Sequence, residues 1–191
     1  MNFSQFLNEA PLLSKSITRE EIIKSVPTYK ELMRNKSKLQ KVGYYHDYEF
    51  YHKPGNSFSG GEYAIVDEKN EKIIAFSQLA KTMRPSLKME YKTQKLLYKD
   101  KDESSEIMKF FFDQILDTEK FIMSDDLQSK GGKAFWKKLC LYWINSKFCE
   151  VGYLSQEHKK LIPFRSKEDF EEEFENLYKN DNYDTLYIKK K

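Results

Sequence analysis

Residues 120–139, KFIMSDDLQSKGGKAFWKKL, decide the reading of the fold. Phe121, Ile122, Met123 and Ser124 form a short strand-like run, Gly131 and Gly132 lie in a polar turn, and Phe135, Trp136, Leu139 and Cys140 then recur at three- and four-residue spacing. That order predicts a strand, a turn and a helix over 130–145. Immediately upstream, Ile107, Phe111 and Ile115 interleave with Met108, Phe112 and Leu116, predicting another helix over about 104–117. The middle of the chain therefore alternates strand and helix.

Towards the N-terminus the mode is different. Leu87, Met89, Tyr91, Thr93 and Leu97 stand at odd positions between Lys88, Glu90, Lys92 and Gln94, the two-residue period of a half-buried strand. The apolar runs 62–67 and 72–80 are joined by EKNE, a hairpin signal, so three consecutive antiparallel strands are expected. The aromatic run 45–51, YHDYEFY, reads as a further strand, and KPGNSFSGG over 53–61 as a loop. Thr18 with Glu21 and Thr28 with Glu31 have capping-box spacing, predicting short helices over 18–25 and 28–38 broken at Pro27. Downstream, 148–154 reads as a strand, Ser166 with Asp169 caps a helix to Tyr178, and 183–189 closes the chain as a strand. Antiparallel strands followed by a βαβα unit predict an α/β or α+β domain with a mixed, mostly antiparallel sheet flanked by helices.

At 191 residues the length favours one domain. A formal charge of +3, from 33 basic and 30 acidic side chains, is too balanced for whole-molecule attraction to nucleic acid, so any basic site must be local. Lysine runs at Lys92, Lys95, Lys99 and Lys101 and at Lys130, Lys133, Lys137 and Lys138, interleaved with Tyr44, Tyr45, Tyr91 and Trp143, keep a nucleic-acid-binding α+β domain as a third reading. Cys140 and Cys149 lack the further Cys or His of a zinc set and read as reduced thiols. His46 and His52, on one strand, would stand about 20 Å apart, too far for one ion. No apolar run reaches the ~18 to 20 residues that cross a bilayer, which leads to the expectation of a soluble, cytoplasmic protein with no membrane partner.

Two resemblances add to this reading. The element order over 18–191, with 99–107 (KDKDESSEI) following the central strand and Phe135-Trp136-Lys137-Lys138-Leu139 in the next helix, resembles the GNAT N-acyltransferase fold. Ser124-Asp125 followed by Gly131 to Trp136 is similar to a divergent bacteriophage group of that kind. The resemblance implies acyl transfer from acetyl-CoA or another acyl-CoA to an amine on a host macromolecule. It implies Glu90 as base, Leu97, Lys99, Lys101, Ser104 and Ser105 as cofactor-binding residues, and either Tyr142 as a substitute acid or release of the thiolate to water. In that family backbone amides at a helix N-terminus hold the pyrophosphate. This chain departs from the glycine signature of that loop, since no glycine lies between Gly61 and Gly131, and it places Asp100, Asp102, Glu103 and Glu106 there. Trp136 stands where the family's tyrosine acid stands, and an indole cannot donate a proton as a phenol does. From these departures comes the alternative expectation, a catalytically inactive binder that engages a host protein or nucleic acid.

The N-terminal MNFSQFLNEA resembles the capsid-targeting peptides of internal head proteins of T4-like phages. It implies cleavage by a phage maturation protease after Glu9, at Leu7-Asn8-Glu9, with Ala10 as the new N-terminus ahead of a single domain over 11–191. It also implies a virion protein delivered from the phage head to the host cytoplasm.

Overall fold

The computed structural model describes residues 19–56, 59–84, 89–104, 106–124, 130–155, 157–177 and 185–191. Two short helices, α1 (Arg19–Ser25) and α2 (Tyr29–Arg34), precede the sheet. Thr28 closes the expected capping box: its hydroxyl accepts from the Glu31 N–H at 3.3 Å, and the Glu31 carboxylate accepts from the Thr28 N–H at 2.8 Å. Thr18, the other expected cap, lies outside the described residues.

The strands β1 (Gln40–Tyr45), β2 (Tyr48–Pro54), β3 (Ser59–Asp67), β4 (Lys72–Arg84) and β5 (Met89–Lys99) form an antiparallel meander. Helix α3 (Glu106–Glu119) then leads to the three-residue β6 (Phe121–Met123), which runs parallel to β5. Helix α4 (Lys130–Trp143), strands β7 (Cys149–Ser155) and β8 (Lys160–Pro163), helix α5 (Lys167–Asn176) and strand β9 (Thr185–Lys190) complete the order. Among the described residues the sheet has nine strands, ordered β1-β2-β3-β4-β5-β6-β9-β7-β8. This is a mixed α+β fold with a largely antiparallel sheet flanked by helices.

Each face of the sheet has its own apolar cover. Phe111, Phe112, Ile115, Trp136 and Phe170 press α3, α4 and α5 onto one face, over Phe50, Tyr63, Leu97 and Ile188. Fully burying a side chain of this size contributes roughly 1.5–3 kcal/mol. On the other face Leu32 of α2 meets Tyr51, Ala64, Val66 and Phe76, with Leu96 and Tyr98 packed alongside.

Several expectations need correction. The run 45–51 is not one strand: the chain turns at His46, whose φ is 52°, and Tyr45 pairs with Tyr48 to start a hairpin. Histidine tolerates that conformation better than most side chains, so no glycine marks the turn. Strands β2 and β3 consume most of the expected 53–61 loop, pairing as far as Pro54 with Gly61, whose φ is 111°. Strand β8 was not expected at all. The odd-numbered face assigned to 87–97 does not hold throughout either, because the β4–β5 register shifts between Gln78 and Leu79, leaving Lys95 as an extra residue on β5. Such a bulge inverts the faces beyond it. Tyr91 therefore packs with Phe121 and Tyr187, while Leu97 joins the cluster beneath α3 and α4.

Candidate functional site

The seam between β5 and β6 is the parallel contact of the sheet, and it is brief. Lys92 pairs with Ile122 and Thr93 with Met123, and there, among the described residues, the ladder ends. Beyond it the two chains take different partners. Ser124 follows β9, donating its N–H to the Leu186 oxygen at 2.8 Å and accepting the Leu186 N–H on its hydroxyl at 3.0 Å. Strand β5 bulges at Lys95 and stays on β4 through Lys99. Among the described residues the parting thus begins after Thr93. At its base lie Gln94 and Ser77, both fully buried, with the Gln94 amide donating to the Ser77 hydroxyl at 3.3 Å. The Gln94 carbonyl oxygen has no partner, an arrangement that costs about 1–3 kcal/mol unless a ligand or water supplies a donor.

The loop at 99–106 is tied up by its own groups. Lys99 is buried and its ammonium donates to the backbone oxygens of Asp100, at 2.6 Å, and of Glu103. The Asp100 carboxylate accepts the Asp102 N–H at 3.0 Å and pairs with Lys72 at 2.9 Å. Burial pushes the Asp100 carboxyl up, but those two partners outweigh it and hold the group below its ordinary range. Tyr48 donates to the Glu103 carboxylate at 2.8 Å, which pushes the phenol up to about 12. At the start of α3, Ser104 accepts the Glu106 N–H at 3.2 Å. Here the protein's own oxygens occupy positions an incoming phosphate would take.

The expected site residues that are described lie in different settings. Leu97 is in the core, Lys99 turns inward, and Lys101 and Ser104 are exposed; Ser105 lies outside the described residues. Glu90 sits opposite Met83 near the start of β5, and its side chain also lies outside the described set. Tyr142 is 44% exposed on the last turn of α4, edge-on to Trp143 at 4.8 Å, with the Lys109 ammonium 5.3 Å from its ring centre. Those contacts run to α3 and to its own helix. Trp136, at the family's tyrosine position, is fully buried.

Two features escaped the sequence reading. The first is a buried polar group beneath the end of α3. Tyr63 donates to the Glu119 carboxylate, Lys92 pairs with the same carboxylate, and His52 stacks on Tyr63 with ring centres 4.4 Å apart. The second is a cavity of about 370 Å³ on the α1–α2 face, walled by Pro27, Glu31, Lys53, Glu62, Phe76 and Gln78. Gln78 pairs with Leu96 beside the bulge, so this cavity reaches the strand next to the seam. A carboxylate at a helix end reads in sequence as a solvated charge, and no periodicity distinguishes Glu119 from one.

His52 makes the first group sensitive to acid. Burial lowers its pKa from 6.5, and Nε2 has no partner. The folded state therefore resists a proton that the unfolded chain accepts, so its contribution is present at neutral pH and declines as pH falls below 6.5. Urea midpoints should drop between about pH 7.5 and 5.5 more for the native protein than for His52→Phe, which keeps the ring stack. Equal drops would remove His52 from the acid response.

Neither protein-family models, nor curated proteins, nor solved structures give a match to this chain. Among the described residues no helix is long and apolar enough to cross a membrane, and no group of three or more His, Cys, Asp or Glu is placed to hold a metal.

Proposed function

We propose that the chain is a divergent GNAT-like N-acyltransferase in which an acyl thioester enters the gap between β5 and β6. The observation that carries this reading is the conjunction of a parallel ladder that, among the described residues, is two pairs long with a bulge at Lys95 on the strand that departs. Bulges re-aim backbone groups, and the family named above uses a parting of this kind to seat the donor. An acceptor amine approaches from the α1–α2 face, where Glu62 and Gln78 wall the cavity next to the bulge. The amine nitrogen attacks the thioester carbonyl, the C–N bond forms, the C–S bond breaks and the thiolate leaves. Glu90 remains the base implied by the resemblance. Tyr142, exposed on the last turn of α4, is the acid if it reaches the leaving group; otherwise the thiolate leaves to water.

The carboxylates of the 99–106 loop set the affinity. A donor held without a phosphate cradle gains little from its diphosphate, so acetyl-pantetheine and acetyl-CoA should bind within about threefold of one another by calorimetry. A preference for acetyl-CoA of about a hundredfold would contradict the closed loop. No heat from either donor, and no protection against thermal unfolding, would sink the transferase reading itself.

A second reading is favoured by the same loop. With Lys99, Asp100 and Glu103 committed to internal contacts, the fold serves as a binder of a host protein or nucleic acid without catalysis. Capture of a defined host partner by protein that binds neither thioester would support it. Delivery from a phage head is a further proposal resting on residues 1–10, outside the described set.

A further inference from the structure

Where β7 begins and β9 ends, a second cavity of about 390 Å³ opens between them and the later half of α3. Its walls combine Leu116, Trp143, Phe148 and Cys149 with the carboxylates of Asp113 and Asp117 and the ammonium of Lys190. Asp117 is ion-paired with Lys190. Asp113 is half-buried and accepts no hydrogen bond from the described residues, and the cation that acts on it is that same Lys190. Burial pushes the Asp113 carboxyl up, as expected of a carboxylate short of counter-charge. Trp143 is 8% exposed, lines the cavity, and has an indole N–H without an acceptor. Phe148 is 72% exposed at the rim, a large aromatic face left in water.

A carboxylate whose one acting cation, Lys190, is paired with Asp117, set among aromatic and aliphatic walls, suits a cation that sheds water readily and carries an apolar stem. A hard metal ion needs several oxygen ligands and would strip more water than two carboxylates repay. A guanidinium is weakly hydrated, pairs with carboxylates in a fork and stacks on aromatic rings. We infer that this cavity binds a guanidinium-bearing ligand of the arginine type, its head on Asp113 and its alkyl stem along Leu116 and Phe148. The inference stands apart from the transferase reading, because it uses none of the residues of the β5–β6 seam.

The test follows the Trp143 indole N–H resonance of the whole protein during titration with two probes, agmatine and N-acetyl-arginine methylamide. A saturable shift with a dissociation constant of about 1 mM or tighter is expected for a ligand of this size. Asp113→Asn should weaken binding at least about tenfold. It should not lower the urea midpoint, since burial already disfavours that charge and Lys190 is engaged by Asp117. Asp117→Asn releases Lys190 towards Asp113 and should weaken binding as well. Equal response to both probes identifies a free small cation as the ligand; response to the methylamide alone identifies an arginine within a partner peptide. No shift with either probe up to about 10 mM, or full affinity in Asp113→Asn, overturns the proposal.

Discussion

Glu119→Ala is expected to destabilise the fold by about 3 kcal/mol, read as a lower urea midpoint at unchanged slope. The Glu119 side chain is 7% exposed and receives both the Tyr63 hydroxyl and the Lys92 ammonium. Its removal strands two donors, one on a fully buried ring and one on a lysine 21% exposed. Stranded donors, more than the lost attraction, dominate the cost. Glu119→Gln keeps an acceptor for Tyr63 and loses the charge opposite Lys92, so it should cost about half as much. Lys92→Met in the Glu119→Ala background should recover about 1 kcal/mol or more, because the uncompensated cation goes. Should the two substitutions add without coupling, the ion pair is not what holds this corner together.

The polar corner bears on the seam next to it. Lys92 is one of the two β5 residues paired with β6, and Glu119 ends the helix that enters β6. The ion pair therefore fastens the closed end of the parting from which the chains diverge. Loosening it should widen amide exchange at Lys92 and Thr93 before it affects the β3–β4 ladder, since local openings follow local contacts.

What the sequence disclosed and what it concealed follow from the kind of constraint involved. Helix α3 was legible because six apolar residues recur at helical spacing and all six are buried. The caps at Thr28 and Ser166 were legible because a side chain there satisfies a backbone N–H three residues on. The bulge at Lys95 was not, because an added residue leaves the composition of a strand unchanged and shows only in its pairing. Strand β8, residues KLIP, is too short to display a period, and its Pro163 suits an edge. At the candidate site, Lys99 read as a cofactor-binding residue through the resemblance alone. Only the geometry shows its ammonium turned back onto two carbonyl oxygens.

Trp136→Ala is expected to cost about 3–5 kcal/mol, enough to unfold a marginal domain at 37 °C, with thermal unfolding as the readout. Trp136 is fully buried beneath α4, among Phe135, Leu139 and Cys140 of the same cluster. Its indole N–H has no acceptor, so a nonpolar ring loses no hydrogen bond. Trp136→Phe should therefore cost about 1–2 kcal/mol, the price of a smaller ring in the same space. Trp136→Tyr separates packing from catalysis, since it introduces the side chain that the proposed acyltransferase reading expects at that position. In a cleft the phenol would protonate a leaving thiolate and raise turnover. In this core its hydroxyl meets no described partner and should cost about 2 kcal/mol more than phenylalanine. Trp136→Tyr that is as stable as Trp136→Phe and transfers acyl groups faster than the native protein would place the residue in a cleft, and the packing assignment would fall.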